Sequence, residues 1–157
     1  MKLSTRARYG LRAVVELAGR HGQGTTNMQE IADQQQISRK YLDTLFGSLK
    51  VAGLVVSRRG LGGGWELTRP PDQIQLADVF QALEGSLSLV PCVEFPDSCP
   101  RSQVCVAREL YVELMESFTR VLGRYTLADV HARQVDLDAL FEGVPGGQGS
   151  CAADGTT

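Results

Sequence analysis

Leu54-Val55-Val56-Ser57-Arg58-Arg59-Gly60-Leu61-Gly62-Gly63-Gly64-Trp65-Glu66-Leu67-Thr68 decides the fold of this chain. Its first four residues form a short β-prone run, and Trp65 to Thr68 alternate like a returning strand. Between them two arginines precede four glycines in five positions. Glycine permits positive φ and close backbone approach, so the segment predicts a tight hairpin with Arg58 and Arg59 at its tip. Arg69-Pro70-Pro71-Asp72 punctuates the end of that unit. The run lacks the Lys-Ser/Thr pair and the strand-to-helix setting of a phosphate-binding loop, which argues against a nucleotide site here.

Upstream of the hairpin the apolar residues recur at helical spacing. Ser4 is placed to cap a first helix to about Arg20, with Tyr9, Leu11, Val14, Val15, Leu17 and Ala18 on its apolar side. His21-Gly22-Gln23-Gly24 ends it. Asn27-Met28-Gln29-Glu30 reads as a capping-box-like start of a short second helix through about Gln34. Ile37-Ser38 is a turn, and Ser38 then caps a third helix to about Val51 that carries Tyr41, Leu42, Leu45, Phe46 and Leu49. Three helices followed by a hairpin predict a mainly α protein with a winged helix-turn-helix, the hairpin being a small β-hairpin wing.

Downstream, Leu76 to Glu84 is a short amphipathic helix closed by Gly85. Residues 86–102, with Pro91, Pro96 and Pro100, read as a loop. A long helix is expected from near Gln103 to about Tyr125, with Leu110, Leu114, Phe118, Val121, Leu122 and Tyr125 on one apolar face. Thr126 caps a final short helix over Leu127 to His131. The composition from Gly143 onward has little to bury, which predicts a disordered tail. The expected organisation is therefore 1–71 winged helix-turn-helix, 72–102 connector helix and cysteine loop, 103–142 long C-terminal dimerisation helix with a short terminal helix, and 143–157 disordered tail. The long helix lacks a partner of similar length, so a second copy of the chain is expected to cover its stripe, giving a homodimer.

Charge is distributed unevenly. Residues 1–69 hold eleven of the sixteen Lys/Arg and five of the eighteen Asp/Glu, a formal +6, and the remainder is formally −8. A basic half suits phosphate contact. No apolar run approaches a membrane span, and the basic N-terminus has no apolar segment behind it as a signal peptide would, so a cytoplasmic protein is expected, with no membrane partner. No nucleophile–base pair or paired acids stand out, so an enzyme is not expected.

Cys92, Cys99 and Cys105 lie within fourteen residues, and Cys151 stands apart in the tail. Thiolates are soft ligands suited to iron–sulfur clusters or zinc, and a proline-punctuated loop lets three sulfurs converge. Spacing by itself leaves a cluster, a zinc site and three ordinary thiols open. His21 and His131 read as surface or cap residues.

The chain resembles the IscR/NsrR/CymR family of winged-helix regulators. The resemblance rests on Met1-Lys2-Leu3-Ser4 through Arg8-Tyr9, Ile31-Ala32, Ile37-Ser38 with Tyr41-Leu42, and Leu45-Phe46-Gly47-Ser48-Leu49. Gly53-Leu54-Val55, Arg59-Gly60-Leu61-Gly62-Gly63-Gly64-Trp65, the three spaced cysteines and Thr126-Leu127-Ala128-Asp129-Val130 complete it, so that it spans about residues 1–135. It implies a homodimer on double-stranded operator DNA and, in the cysteine-bearing branch, an iron–sulfur cluster, [2Fe-2S] or [4Fe-4S], on Cys92, Cys99 and Cys105. The function implied is transcription regulation in response to iron–sulfur, redox or nitric oxide status. The alternative is a cluster-free repressor responsive to thiol chemistry or a metabolite. Some relatives use a histidine three residues after the third cysteine, and others an acid near the eighth residue. Arg108 and Arg8 stand there, leaving Glu94, Asp97, Glu109, water or a small thiol as the fourth ligand.

For DNA, the N-terminal side chains of the third helix are expected in the major groove: Ser38, Arg39, Lys40, Tyr41, Asp43 and Thr44. Arg39 and Lys40 suit phosphate or a guanine edge, and Asp43 suits cytosine N4. Tyr41 has a competing role in the core. Arg58, Arg59 and Gly60 form the wing contact, and the resemblance points to Arg59 as the minor-groove residue. Arg6 and Arg8 are candidate phosphate contacts from the first helix.

Overall fold

The computed structural model describes residues 3–60 and 62–142. Cys151 and the tail expected to be disordered lie outside the described residues. Helix α1 spans Thr5–Gly19, and the Ser4 side chain caps it by accepting from the Ala7 N–H at 3.2 Å. Helix α2 spans Met28–Gln35 and starts at Asn27, whose side chain accepts from the Gln29 N–H. Glu30 does not reach back to complete a capping box. It pairs instead with Arg20 at 2.6 Å, tying α2 to the end of α1. Gln36 adopts a left-handed φ of 54° and ends the helix. Helix α3 spans Arg39–Val51 behind the Ser38 cap, with Leu42, Leu45, Phe46 and Leu49 buried.

The wing follows as β1, Val55–Arg58, and β2, Gly64–Leu67, paired antiparallel with Val55 opposite Leu67 and Arg58 opposite Gly64. Thr26 adds a one-residue third strand, exchanging both backbone hydrogen bonds with Trp65 at 2.8 Å. Trp65 packs edge-on against Phe46, with ring centroids 5.1 Å apart, and so anchors the hairpin to α3. Winged helix-turn-helix architecture results.

Beyond a 3-10 turn at Pro71–Gln73, helix α4 spans Leu76–Glu84 and buries Leu76, Val79, Phe80 and Leu83 against α1 and α3. Gly10 makes this approach possible, since a Cβ there would lie 2.5 Å from the Leu83 methyls. The Ser4 hydroxyl also donates to the Glu84 carboxylate, so one residue caps α1 and clamps it to the end of α4.

The C-terminal half departs from expectation in several places. The cysteine loop is a chain of short turns: helix α5 at Pro91–Glu94, then 3-10 turns at Pro96–Ser98 and Ser102–Val104. The prolines begin two of these turns, because a fixed φ and a missing N–H suit a first helical position. Helix α6 is shorter than expected, Val106–Leu122. The terminal helix is not short: α7 runs Leu127–Glu142, since no glycine or proline interrupts the chain before Gly143. It packs along α1, and His131 is half-buried with its ring against Gly19 rather than standing as a surface or cap residue. The Asp129 carboxylate accepts from the Thr126 N–H and hydroxyl, and these bonds hold its pKa below the usual carboxylate value. A lowered pKa means that this cap is complete above the ordinary carboxylate range and lost as pH falls through the lowered value.

Replacement of Ser4 by Ala removes the cap of α1 and its bond to Glu84. The expected loss is about 1 kcal/mol, read as a melting temperature lower by about 2–4 °C in a thermal denaturation.

Candidate nucleic-acid interface and thiol segment

The N-terminal part of α3 presents one polar face. Ser38, Arg39, Lys40, Asp43 and Thr44 are all exposed, while Leu42 among them and Leu45 just after them point into the core. Ser38 is already committed, because its hydroxyl accepts from the Tyr41 N–H. Tyr41 is half-buried and edge-on to Tyr9 at 6.2 Å, so its ring supports the α1–α3 contact. Arg8 and Arg12 lie over the other ring of that pair, 5.4 and 5.8 Å from the Tyr9 centroid.

The wing arginines are not equivalent. Arg58 donates to the Glu66 carboxylate across the hairpin at 2.7 Å and does not stand free at the tip. Arg59 is exposed and has no hydrogen-bond or ion-pair partner among the described residues. Gly60 follows it with φ 110° and begins the turn, in which the Gly63 N–H donates to the Gly60 carbonyl at 2.9 Å. Lys50, in the last turn of α3, reaches Ser57 of the wing at 2.9 Å and lies over the Trp65 ring.

Arg6, expected as a phosphate contact, is committed within the protein instead. Its half-buried guanidinium donates to the Leu83 carbonyl and to the Ser48 hydroxyl, both at 3.0 Å. A single side chain thus joins α1, the end of α4 and α3. The spacing of Arg6 in α1 carried no signal of this role, which depends on α4 folding back beside it. Arg12 is likewise used internally, on the side chain and carbonyl of Gln35.

The three cysteines are free, half-buried thiols in one segment: Cys92 in α5, Cys99 after the second turn and Cys105 at the start of α6. The expected convergence of their sulfurs is not seen. Among the described residues, no three His, Cys, Asp or Glu side chains are grouped closely enough to hold a metal ion. The physical reason is that each thiol belongs to a different turn, and each turn closes its own backbone hydrogen bonds. Arg108, three residues after the third cysteine, donates to the Cys92 carbonyl at 2.9 Å and ties α5 to α6. The Glu94 carboxylate accepts from the Ser86 hydroxyl. By donor chemistry the segment suits a soft metal centre: three thiols, no competing lysine, and partial shelter from water.

The family profile described as "Rrf2: Iron-dependent Transcriptional regulator" matches residues 3–133. The chain belongs to the Rrf2 family. Among Rrf2-family relatives, it is 38% identical over 130 residues to the protein rrf2 of Nitratidesulfovibrio vulgaris, covering 83% of this chain and 87% of that one. It is 40% identical over 130 residues to the transcriptional regulator CymR of Bacillus subtilis, covering 83% and 89%. The solved structure of T. potens IscR superposes with a TM-score of 0.70 at 34% identity, covering 85% of this chain and 88% of that one. The family is one of transcriptional regulators, and this Rrf2-family chain is a DNA-binding transcription regulator with a winged helix-turn-helix. No helix among the described residues is long and apolar enough to cross a membrane.

The Arg58–Glu66 pair sets an expectation with an unusual sign. Glu66→Gln removes an acid and releases Arg58 toward DNA. Affinity for a random-sequence duplex should rise, and the slope of log K against log salt should steepen by up to about one unit, as read by fluorescence anisotropy across a salt series. Unchanged affinity and slope would mean that Arg58 does not face the phosphates.

Proposed function

We propose that this Rrf2-family chain is a homodimeric regulator that reads operator DNA through α3 and the wing, and that an iron–sulfur cluster on Cys92, Cys99 and Cys105 controls its operator affinity. The observation that carries the DNA reading is the division of α3 and the wing into a buried apolar side and an exposed polar side. Arg39, Lys40 and Asp43 stand outward on the helix and Arg59 beside it on the hairpin. Arg39 and Asp43 read base edges in the major groove, while Arg59 enters the narrow minor groove, where the potential is most negative. Ser38, Tyr41 and Gly60 shape this surface rather than discriminate bases.

Three free thiols in one segment support the cluster reading, together with the iron-dependence in the family's description. A bound cluster would supply a centre whose oxidation state or integrity responds to oxidants, nitric oxide or iron supply. The protein side of the control is the connection from the thiol segment to α3. Helix α4 ends where that segment begins, and Arg6 ties the last turn of α4 to Ser48 of α3. Arg8 and Arg108 cannot ligate, because a guanidinium stays protonated, so the fourth ligand comes from an oxygen donor or from outside the chain.

A second reading, a cluster-free regulator responsive to thiol chemistry or a metabolite, is favoured by the separation of the three thiols. The solved structure of B. subtilis CymR, described as the global cysteine regulator, is also similar, with a TM-score of 0.69 at 37% identity. Anaerobic purification separates the two. The cluster reading expects a coloured protein with bound iron and sulfide, lost in Cys92→Ala, Cys99→Ala and Cys105→Ala and retained in Cys151→Ala. A colourless protein whose operator binding changes reversibly with oxidant and reductant would establish the second reading instead.

Support for the dimer comes from α6. Val106, Leu110, Leu114 and Val121 are each about half exposed or more, a stripe that one protomer leaves uncovered. Phe118 and Leu122 belong to the protomer itself: Leu122 is buried, and Phe118 meets Phe80 of α4 edge-on at 6.1 Å. Leu114→Asp should therefore give monomers with weakened operator binding while retaining the wild-type helix content by circular dichroism. A wild-type protein that sediments as a monomer at micromolar concentration would refute the dimer.

A further inference from the structure

Thr25 carries no motif and lies in the turn between α1 and α2, far in sequence from the wing. Its hydroxyl donates to the carbonyl of Gly62, in the turn between β1 and β2. The next residue, Thr26, is the one that pairs with Trp65 on the edge of β2. The approach is close. A Cβ on Gly64 would lie 2.5 Å from the Thr26 carbonyl oxygen and 3.2 Å from the Thr25 Cβ, so residue 64 must be glycine for the turn to sit under the wing.

The need for this support follows from the hairpin itself. A two-stranded hairpin of four-residue strands is marginal alone, and its turn contains Gly60 and Gly62 at φ 110° and 77°. Such glycines have many accessible conformations. Trp65, opposite Ser57 in the turn-proximal half of the hairpin, anchors the strands on Phe46, and the Arg58–Glu66 pair braces one strand against the other. Neither side chain bonds to the backbone of the turn that follows Arg59. Among the described side chains, Thr25 is the one that hydrogen-bonds to the backbone of that turn.

We propose that Thr25 is a positioning residue for DNA binding: its hydroxyl holds the glycine turn so that Arg59 is presented to the minor groove in one direction. Ordering a mobile loop on binding costs affinity, and a loop ordered beforehand avoids that cost. The inference rests on the reading of Arg59 as the wing contact. It adds that the α1–α2 turn, itself away from the proposed DNA contacts, sets how well that contact is made.

Thr25→Val is the decisive variant, because it keeps the shape of the side chain and removes the hydroxyl. Binding is measured on a duplex recovered from a randomised library by the wild-type protein. Thr25→Val should bind about three- to tenfold more weakly with an unchanged salt slope, since no charge is lost, whereas Arg59→Ala should also flatten that slope by about one unit. Thr25→Ser should restore wild-type affinity, and Thr25→Ala, with a smaller side chain, should reproduce the loss. In an Arg59→Ala background the Thr25→Val loss should vanish, because nothing remains to be positioned. An equal loss in both backgrounds would replace positioning with a general structural role and overturn the proposal, as would wild-type binding by Thr25→Val or failure of Thr25→Ser to rescue. Wild-type affinity and slope for Arg59→Ala would remove the wing reading itself and the inference with it.

Discussion

The packing of α1 against α2, α3, the wing, α4 and α7 is the constraint on which the rest of the structure depends. Its buried positions are mostly small, Ala7, Gly10, Ala13 and Ala18 among larger Val14, Val15 and Leu17, so neighbouring elements approach closely. Leu83 enters at Gly10 and His131 at Gly19. The half-buried Arg6 guanidinium then has to find partners, since an unsatisfied cation in the interior is costly. The Leu83 carbonyl and the Ser48 hydroxyl supply them. The helix-turn-helix and α4 are therefore one packed body, with Arg6 bonded to both the end of α4 and α3.

That packing also decides which positive charges face outward. The formal +6 of residues 1–69 overstates the charge offered to DNA. Arg6 and Arg12 hold α1 to its neighbours, Arg20 joins Glu16 and Glu30, and Arg58 is matched by Glu66. Arg39, Lys40 and Arg59 remain outward. A few uncommitted cations on a shaped surface favour sequence discrimination over non-specific attraction, because each matched acid lowers the charge available for counterion release.

The thiol segment stands in contrast. Cys92, Cys99 and Cys105 are each half-buried, and α6 sends one residue, Leu122, into full burial. Few buried apolar contacts place a segment at the low end of local stability. Under the proposed function this is suitable. The elements that read DNA are held tightly, and the element that takes up a signal is joined to them through α4 and the Arg6 bonds, while the Arg108 bond to Cys92 holds α5 to α6 within it.

Local order was legible in the sequence. Ser4, Asn27 and Ser38 marked helix starts through the bonds that their side chains make to nearby N–H groups, and the glycine run marked the wing. The apolar period located α3, α4 and α6, and the glycine-rich wing with the spaced cysteines pointed to the family. Each of these signals acts over a few residues, so composition and spacing suffice to read it. What only the tertiary structure decided was how remote side chains are used. Arg6 and Arg8 look alike on α1, yet one is a clamp and the other is exposed. Phe118 and Leu114 share an apolar stripe, yet one faces α4 and the other solvent. Thr25 acquires its partner Gly62 only because the wing folds back over the α1–α2 turn. The three sulfurs are close in sequence, yet each lies in its own turn, and they are not grouped as a metal site among the described residues. In every case the partner is chosen by which surfaces meet, and a one-dimensional pattern does not carry that information.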